Sequence, residues 1–367
     1  MVSALRKAFA LALAAALVPL GAETVVSAEI AASASAKIGT GGFSSVPEAN
    51  GGSVSIGIDT ARNEAVKASA GIAVNQRGEL TLNRAWMKAR MPSPAEGTSS
   101  RLTVGLAPLS WGKGFLFNAG DPIFGEMPAM NALSGSEYRT AADWLAAIYL
   151  PLGPFSFAEA VYLPPVIGPS TGSVEANAAI SPRDRAGGRV QIEAGLPLLQ
   201  SVEAGWLHAV SAEERGYAAA DGSLWADWYA VAAFASKNPA ASATGERVDG
   251  ADWSLSGGLF RIIDLPDYPV TFRLEALAHP GRNAQNWFAL MSVGLGDLAS
   301  AGFQGVYATG SGDVSERFPS GSLVAGLIGE FSPVKGFTLS AQALRTSIPA
   351  MPDASGYLIS VGARCKF

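Results

Sequence analysis

Apolar and polar residues alternate with a period of two through many segments of the chain. The clearest segments are residues 53–60, 66–74, 189–196 and 270–279. In the last of them, Phe272 and Leu274 fall on one face, while Arg273 and Glu275 fall on the other. Because successive side chains of a strand point to opposite faces of its sheet, each segment predicts a β-strand with one apolar and one polar face.

The connections between these segments are of two kinds. Residues 151–154, 198–200, 296–299 and 333–336 form tight connections. Longer connections, rich in Gly, Pro, Ser and charge, cover residues 111–140, 164–187, 310–321 and 347–355. Outer-membrane barrels have short periplasmic turns and longer external loops, so this asymmetry favours an antiparallel transmembrane β-barrel.

The number of strands depends on how residues 211–251 are assigned. Counting every candidate gives about seventeen strands, which breaks the alternation of short and long connections. Within this region, Leu224, Trp228 and Val231 of the segment Ser223–Ser236 are spaced as in a helix. Assigning that segment to a short helix in one long external loop predicts about sixteen strands, with 14 and 18 also compatible with the alternation.

Composition points to the same all-β fold. Only 16% of the residues are charged, against about 25% in an average protein. Mean hydropathy is +0.23, yet no apolar run after residue 28 reaches the ~20 residues of a membrane-spanning helix. Dispersed apolar residues predict a single domain, an outer-membrane barrel over residues 29–367. A soluble, secreted β-sandwich is the alternative.

The N-terminus has the layout of a secretory signal peptide over residues 1–28. Two basic residues precede an apolar run over residues 8–20, and small residues follow. Cleavage is expected after Ala22 or Ala28, and Ala28 is favoured because Leu20 fits the recognition position of the Ala22 site poorly. A membrane anchor is the alternative, but the run is shorter than the ~20 residues that span a bilayer.

The chain ends in an alternating segment, YLISVGARCKF, from Tyr357 to Phe367. It resembles the last strand of Gram-negative outer-membrane β-barrels, which commonly ends in Phe and is recognised by the barrel assembly machinery. The resemblance implies an outer-membrane location in a diderm bacterium, with membrane lipid and that machinery as partners. The implied assembly signal consists of Tyr357, Ile359, Val361 and Phe367. Cys365 departs from the pattern, since a larger apolar residue is common there.

A second resemblance covers about residues 101–165. Arg101–Gly105 leads into LSWGKGFLFN, from Leu109 to Asn118, then Asp121, and a hairpin follows. This stretch is similar to porin-like outer-membrane proteins. It implies a channel for passive or facilitated diffusion of small solutes, and a homotrimer as one possible assembly, although no segment marks an interface.

A loop over residues 111–140 is predicted either to fold into the barrel and narrow it or to form an external lid. Its glycines permit tight turns, and Lys113, Asp121 and Glu126 would bring charge into the pore. On the strand over residues 80–91, three cations share a face with Trp86, namely Arg84, Lys88 and Arg90. Facing acidic groups, they would select solutes by the sign of their charge. Alternatively, they only form ion pairs with Glu193, Glu203 or Glu275.

Other classes of function are disfavoured by composition. The net charge of −5 gives no reason to expect a nucleic-acid partner. One cysteine and two histidines make no disulfide and no credible zinc site, so we expect no metal, no cofactor and no enzymatic activity. Two alternatives to a channel stay open. One is an adhesive surface barrel plugged by residues 223–236, and the other is a carrier with an apolar inner pocket lined by Trp225, Trp228 and Phe234.

Overall fold

A computed structural model of the chain describes residues 23–39, 48–62, 65–75, 80–93, 98–126, 142–165, 184–209, 213–237, 252–296, 298–310, 319–349 and 355–367. Within these ranges it has eighteen strands: β1 (Glu23–Gly39), β2 (Glu48–Arg62), β3 (Val66–Asn75), β4 (Leu80–Pro92), β5 (Ser99–Ala107), β6 (Asp143–Pro151), β7 (Phe157–Leu163), β8 (Arg185–Glu193), β9 (Ser201–Ala209), β10 (Glu213–Ser223), β11 (Asp227–Lys237), β12 (Asp252–Ile263), β13 (Val270–His279), β14 (Ala284–Leu295), β15 (Ala299–Gly310), β16 (Leu323–Val334), β17 (Phe337–Ser347) and β18 (Gly356–Lys366). A 3-10 turn, Pro280–Arg282, follows β13. Among the described residues, no helix is long and apolar enough to cross a membrane.

The sheet closes into a ring because the first strand pairs with the last. Each strand is antiparallel to its neighbours in the chain, and β1 pairs with both β2 and β18. In the closing pair, Ile30 lies opposite Cys365 and Ala32 opposite Ala363. Beyond the end of β18, Phe367 N donates a hydrogen bond to Ala28 O at 2.8 Å. The C-terminal strand therefore closes an all-β antiparallel barrel.

The two ends of the barrel differ. Connections that follow even-numbered strands are short where the chain is described from strand to strand, as at residues 224–226 between β10 and β11 and 335–336 between β16 and β17. Connections that follow odd-numbered strands include the long segments 108–142, 164–184 and 238–251. We call these the turn end and the loop end. The first residue of β1 and the last residue of β18 both lie at the turn end.

The prediction of a helix over Ser223–Ser236 is wrong. Ser223 ends β10, residues 224–226 form a turn, and the rest belongs to β11, which pairs with β10 and β12. This missed pair of strands raises the count from the predicted sixteen to the eighteen of the described residues, the upper bound of the expected range. The proposed plug is thus part of the barrel wall.

The physical reason is that β11 is apolar on both faces. Its inward residues Val231 and Ala233 are buried against a segment inside the barrel, and its outward residues include Trp228 and Phe234. A strand with two apolar faces lacks the period of two, so its spacing can imitate that of a helix.

The outward face of the barrel is apolar along its strands. Outward side chains from well-separated strands are exposed, among them Ile56, Ile192, Phe272, Leu327 and Val361. The opposite face carries most of the charged residues of the strands, including Asp59, Arg84 and Glu275. The alternation in the sequence thus becomes an apolar exterior and a polar interior.

Closure can be tested with a disulfide between Ala32 and Ala363, which lie directly opposite each other in the β1–β18 pair. The cysteine pair Ala32→Cys and Ala363→Cys, in a Cys365→Ser background, is expected to oxidise because directly opposed residues meet the distance limit of a disulfide. Altered mobility on a denaturing, non-reducing gel would report the cross-link. The matched control combines Ala32→Cys with Val361→Cys, two positions out of register. A cross-link in the control alone would contradict the register.

Candidate functional site

A segment between β5 and β6 lies inside the barrel. We call its described part, Pro108–Glu126, the inner loop. It contacts inward-facing residues on every strand from β7 to β14, and Trp111, Leu116 and Phe117 are almost completely buried. Residues 127–140 of the predicted loop lie outside the described residues. Contacts with inward residues of eight successive strands are possible only from the interior.

The carboxylate of Glu275 on β13 holds the centre of the inner loop. Its oxygens accept hydrogen bonds from the backbone N–H groups of Phe115, Leu116 and Phe117, at 2.9, 2.7 and 2.9 Å. Gly114 makes this turn possible, since its φ is +145° and a Cβ there would lie 1.9 Å from Phe117 O. Hydrogen bonds to a buried carboxylate are about twice as strong as neutral ones. Glu275 is therefore the main anchor of the loop.

Two further carboxylates hold the start of the loop. Glu203 Oε1 on β9 accepts from Gly112 N at 3.0 Å, and Glu159 Oε2 on β7 accepts from Trp111 Nε1 at 3.1 Å. Arg189 on β8 lies between them, 2.8 Å from Glu159 and 3.4 Å from Glu203. Buried charges are tolerated only when they are paired and hydrogen-bonded, and this group satisfies both conditions.

The predicted pore acid Asp121 acts within the loop. Its side chain is 1% exposed and accepts from the N–H groups of Ile123 and Phe124, each at 3.1 Å, and from Ser110 Oγ at 2.8 Å. These bonds fix the turn in which Asp121 lies. Because the carboxylate is enclosed by its own segment, it does not face the cations of β4.

Lys113 and Glu126 form polar contacts with the barrel wall, one near each end of the barrel. Lys113 Nζ lies 3.1 Å from both Asp221 Oδ1 and Gln191 Oε1, near the turn end. Glu126 Oε2 lies 2.8 Å from His279 Nε2, near the loop end. These two charged residues of the loop therefore have partners on the wall, whereas the sequence suggested that they would project into the pore.

Aromatic packing joins the loop to β14. Phe288 is fully buried, and its ring centroid lies 6.2 Å from that of Phe115 and 6.5 Å from that of Phe117. The Arg273 guanidinium lies 4.0 Å from the Phe115 ring. Sequence reasoning missed this apolar core inside the barrel. The available signal was the set of large apolar residues at inward positions, such as Leu277 two residues after Glu275.

The predicted cations of β4 face the interior on the other side of the barrel. Lys88 lies opposite Thr103, and the row of opposed residues continues to Ala147 and Val161, which pack in the core with the inner loop. Arg84, Lys88 and Arg90 therefore share the inward face. With their cross-strand neighbours they form a surface that we call the basic wall: Lys67, Arg84, Lys88, Arg90 and Arg101.

The suggested ion pairs between these cations and Glu203 or Glu275 are wrong. Glu203 and Glu275 bind the inner loop together with Arg189 and Arg273. Arg84 instead lies 3.5 Å from Asp59 on β2. Sequence parity placed these residues on the inner face, but could not determine which strands face one another across the lumen.

The apolar pocket expected of a carrier is also wrong. Trp225 lies in the exposed turn between β10 and β11, and Trp228 faces outward opposite Leu259. Phe234 contacts Trp206 and Trp253 on the outer surface, with ring centroids 5.2 and 5.6 Å away. None of these three side chains faces the interior.

Comparisons with known proteins identify the fold. No family model matches the chain, and no curated protein matches it. A BenF-like porin from Pseudomonas fluorescens Pf-5 matches with a TM-score of 0.61 at 7% identity, over 95% of this chain and 98% of that one. Pseudomonas aeruginosa OccD3 (OpdP) matches with 0.59 at 10%, over 95% and 93%. Escherichia coli Wzi, a carbohydrate-binding β-barrel involved in group 1 capsule assembly, matches with 0.59 at 12%, over 93% and 84%. The chain shares the fold of outer-membrane porins.

Replacing the anchor, Glu275→Ala, is expected to release the inner loop. Three buried N–H groups would lose their acceptor, at about 1–3 kcal/mol each. Trypsin should then cleave the folded barrel after Lys113, and the urea midpoint should fall. Glu330→Ala is the control because Glu330 is an exposed carboxylate on the inward face of β16, across from Ser300. Equal protease resistance of both variants would show that Glu275 does not hold the loop.

Proposed function

We propose that this protein is an outer-membrane, porin-like channel through which small solutes diffuse passively or by facilitated diffusion. The observation that carries the proposal is the division of the lumen into two parts. The inner loop packs against β7–β14, while the basic wall on β3–β5 is open to solvent. Barrels of ~16 to 18 strands are wide enough for an aqueous channel beside such a loop.

Exposure of the inward side chains supports this route. Glu203, Glu275 and Phe288 face the interior, and each is at most 2% exposed. Lys67 and Lys88 face the same interior and are exposed. The inner face of the barrel is therefore buried along β7–β14 and exposed to solvent along β3–β5. We expect the solvent-filled passage to follow the basic wall.

Selection by charge follows from the arrangement of this wall. Lys67 lies directly opposite Lys88, and Arg90 directly opposite Arg101. Like charges in direct cross-strand opposition are unfavourable for the sheet. Their combined field raises the local concentration of anions in a water-filled passage whose walls have a low dielectric constant. We therefore propose a preference for anionic solutes, with Arg84, Lys88 and Arg90 as the selecting residues.

Channel activity is expected in planar bilayers as discrete conductance steps with a reversal potential that favours anions. Lys88→Gln should shift the reversal potential toward cations, and neutralising Arg84, Lys88 and Arg90 together should shift it further. Arg345→Gln is the control, since Arg345 lies opposite Tyr357 on the outer face of β17. Absence of conductance steps would reject the open channel. An unchanged reversal potential in the triple variant would reject the basic wall as its filter.

The apolar exterior supports insertion in the outer membrane, and export by an N-terminal signal peptide is part of the proposal. Tyr357, Ile359 and Val361 lie exposed on the outer face of β18, where the assembly machinery could reach them together with Phe367. Recognition by that machinery and a homotrimeric assembly stay predictions.

The position of signal cleavage affects the first strand. Residues 23–28 pair with β2, and Ala28 exchanges two backbone hydrogen bonds with Phe367. Cleavage after Ala28 would remove these pairs, whereas cleavage after Ala22 leaves β1 whole, so the pairing favours the Ala22 alternative. The intact mass of the purified protein should correspond to a chain that begins at Glu23. A mass that begins at Glu29 would support cleavage after Ala28.

A further inference from the structure

One row of inward positions crosses the first four strands at the middle of the barrel. Ser27 on β1 lies opposite Gly57 on β2, Gly57 opposite Gly71 on β3, and Gly71 opposite Arg84 on β4. The β3–β4 register shifts just beyond this row, because Asn83 is an extra residue between the positions that pair with Gly71 and Ile72. Such a bulge redirects side chains along the strand, and here it sets Arg84 in line with the two glycines.

The Arg84 side chain lies along this row and covers both glycines. A Cβ built on Gly71 would lie 3.0 Å from Cγ and 3.1 Å from Nε of Arg84, and one on Gly57 would lie 2.6 Å from its Nη2. The side chain therefore spans two strands, which are ~4.8 Å apart at each step. Its tip reaches Asp59 Oδ2 at 3.5 Å, while the side chain as a whole stays 42% exposed.

Backbone conformation does not explain why these two positions are glycine. Neither Gly57 nor Gly71 has a φ in the left-handed region, so any residue could adopt their backbone geometry. Glycine inside a strand weakens it and commonly marks a place where another group approaches closely. At Gly71 the approaching group is the Arg84 side chain alone, and at Gly57 it is the tip of Arg84 together with Ser27 Oγ, which a Cβ would meet at 2.8 Å. Both glycines are buried.

We propose that Gly57 and Gly71 form a seat that holds the Arg84 side chain flat against the wall and delivers its guanidinium to Asp59. The seat has two consequences. It fixes the position of one selecting cation along the passage, and it keeps the longest side chain of the row from projecting into the lumen. Gly57 and Gly71 are thus positioning residues that act through Arg84. The effect on permeation rests on the proposed channel function, whereas the seat itself does not.

Gly71→Val gives the cleanest test because all three atoms nearest to the new Cβ belong to Arg84. The flexible Arg84 side chain can move away, so the barrel is expected to fold. We expect a lower single-channel conductance, because the displaced guanidinium enters the passage. Adding Arg84→Ala should abolish that loss and return the conductance to that of Arg84→Ala alone. Ala73→Val is the matched control, since it enlarges an inward residue of the same strand two positions further on and should leave the conductance unchanged.

A thermal double-mutant cycle tests the seat without any channel activity. With Arg84 present, Gly71→Val is expected to lower the melting temperature of the purified barrel. In the Arg84→Ala background, the same substitution should raise it, because Val suits a strand better than Gly when nothing covers the position.

The two measurements separate the outcomes. If the wild-type protein shows no conductance, the channel function fails while the thermal cycle still decides the seat. If Gly71→Val has the same effect on the melting temperature with and without Arg84, the seat is wrong. If the melting temperatures are coupled but Gly71→Val lowers conductance equally in both backgrounds, the seat exists but does not position the cation for permeation.

Discussion

Backbone hydrogen bonding between β1 and β18 is the constraint on which the rest of this structure depends. A sheet with an open edge would expose a row of unpaired N–H and C=O groups, and in hydrocarbon each such group costs several kcal/mol. Closure removes both edges and fixes which face of every strand points inward. From that point, the role of a residue depends on its parity along the strand, and a one-residue bulge such as the one at Asn83 is enough to change it.

The closed ring encloses a space that is occupied either by protein side chains or by water. On the side of β7–β14 it is filled, because buried carboxylates accept the backbone N–H groups of the inner loop and aromatic side chains pack beneath them. These carboxylates have a structural role in addition to making the interior polar. A loop segment without regular secondary structure can be buried only if its N–H groups find acceptors, and Glu203 and Glu275 provide them.

On the opposite side, the same wall keeps its charges in water. Opposed cations such as Lys67 and Lys88 disfavour the sheet locally, and the solvent that screens them is also the medium through which a solute would pass. Arg84 differs from its neighbours because two glycines allow it to lie flat toward Asp59. The position of the Arg84 charge and the space left for a solute beside it are therefore both set by one cross-strand row, which consists of Ser27, Gly57, Gly71 and Arg84.

The sequence by itself determined the local features. Alternation at residues 53–60 and 270–279 predicted strands with one polar face, the last eleven residues predicted a terminal strand, and the parity of Arg84, Lys88 and Arg90 placed them on one face. Each of these properties depends on neighbours within a single strand, so a period of two is enough to reveal it.

Tertiary structure decided whatever depends on contacts across the lumen. β11 looked helical because its inward face packs on the inner loop and is apolar like its outward face. The sequence predicts Asp121 as a pore charge and offers Glu203 and Glu275 as ion-pair partners of the β4 cations. In the structure all three carboxylates accept hydrogen bonds from backbone N–H groups of the inner loop. Their partners are separated from them by up to about 160 residues in the chain, except within the loop itself. No local pattern encodes which wall a loop meets, because that contact exists only after the ring has closed.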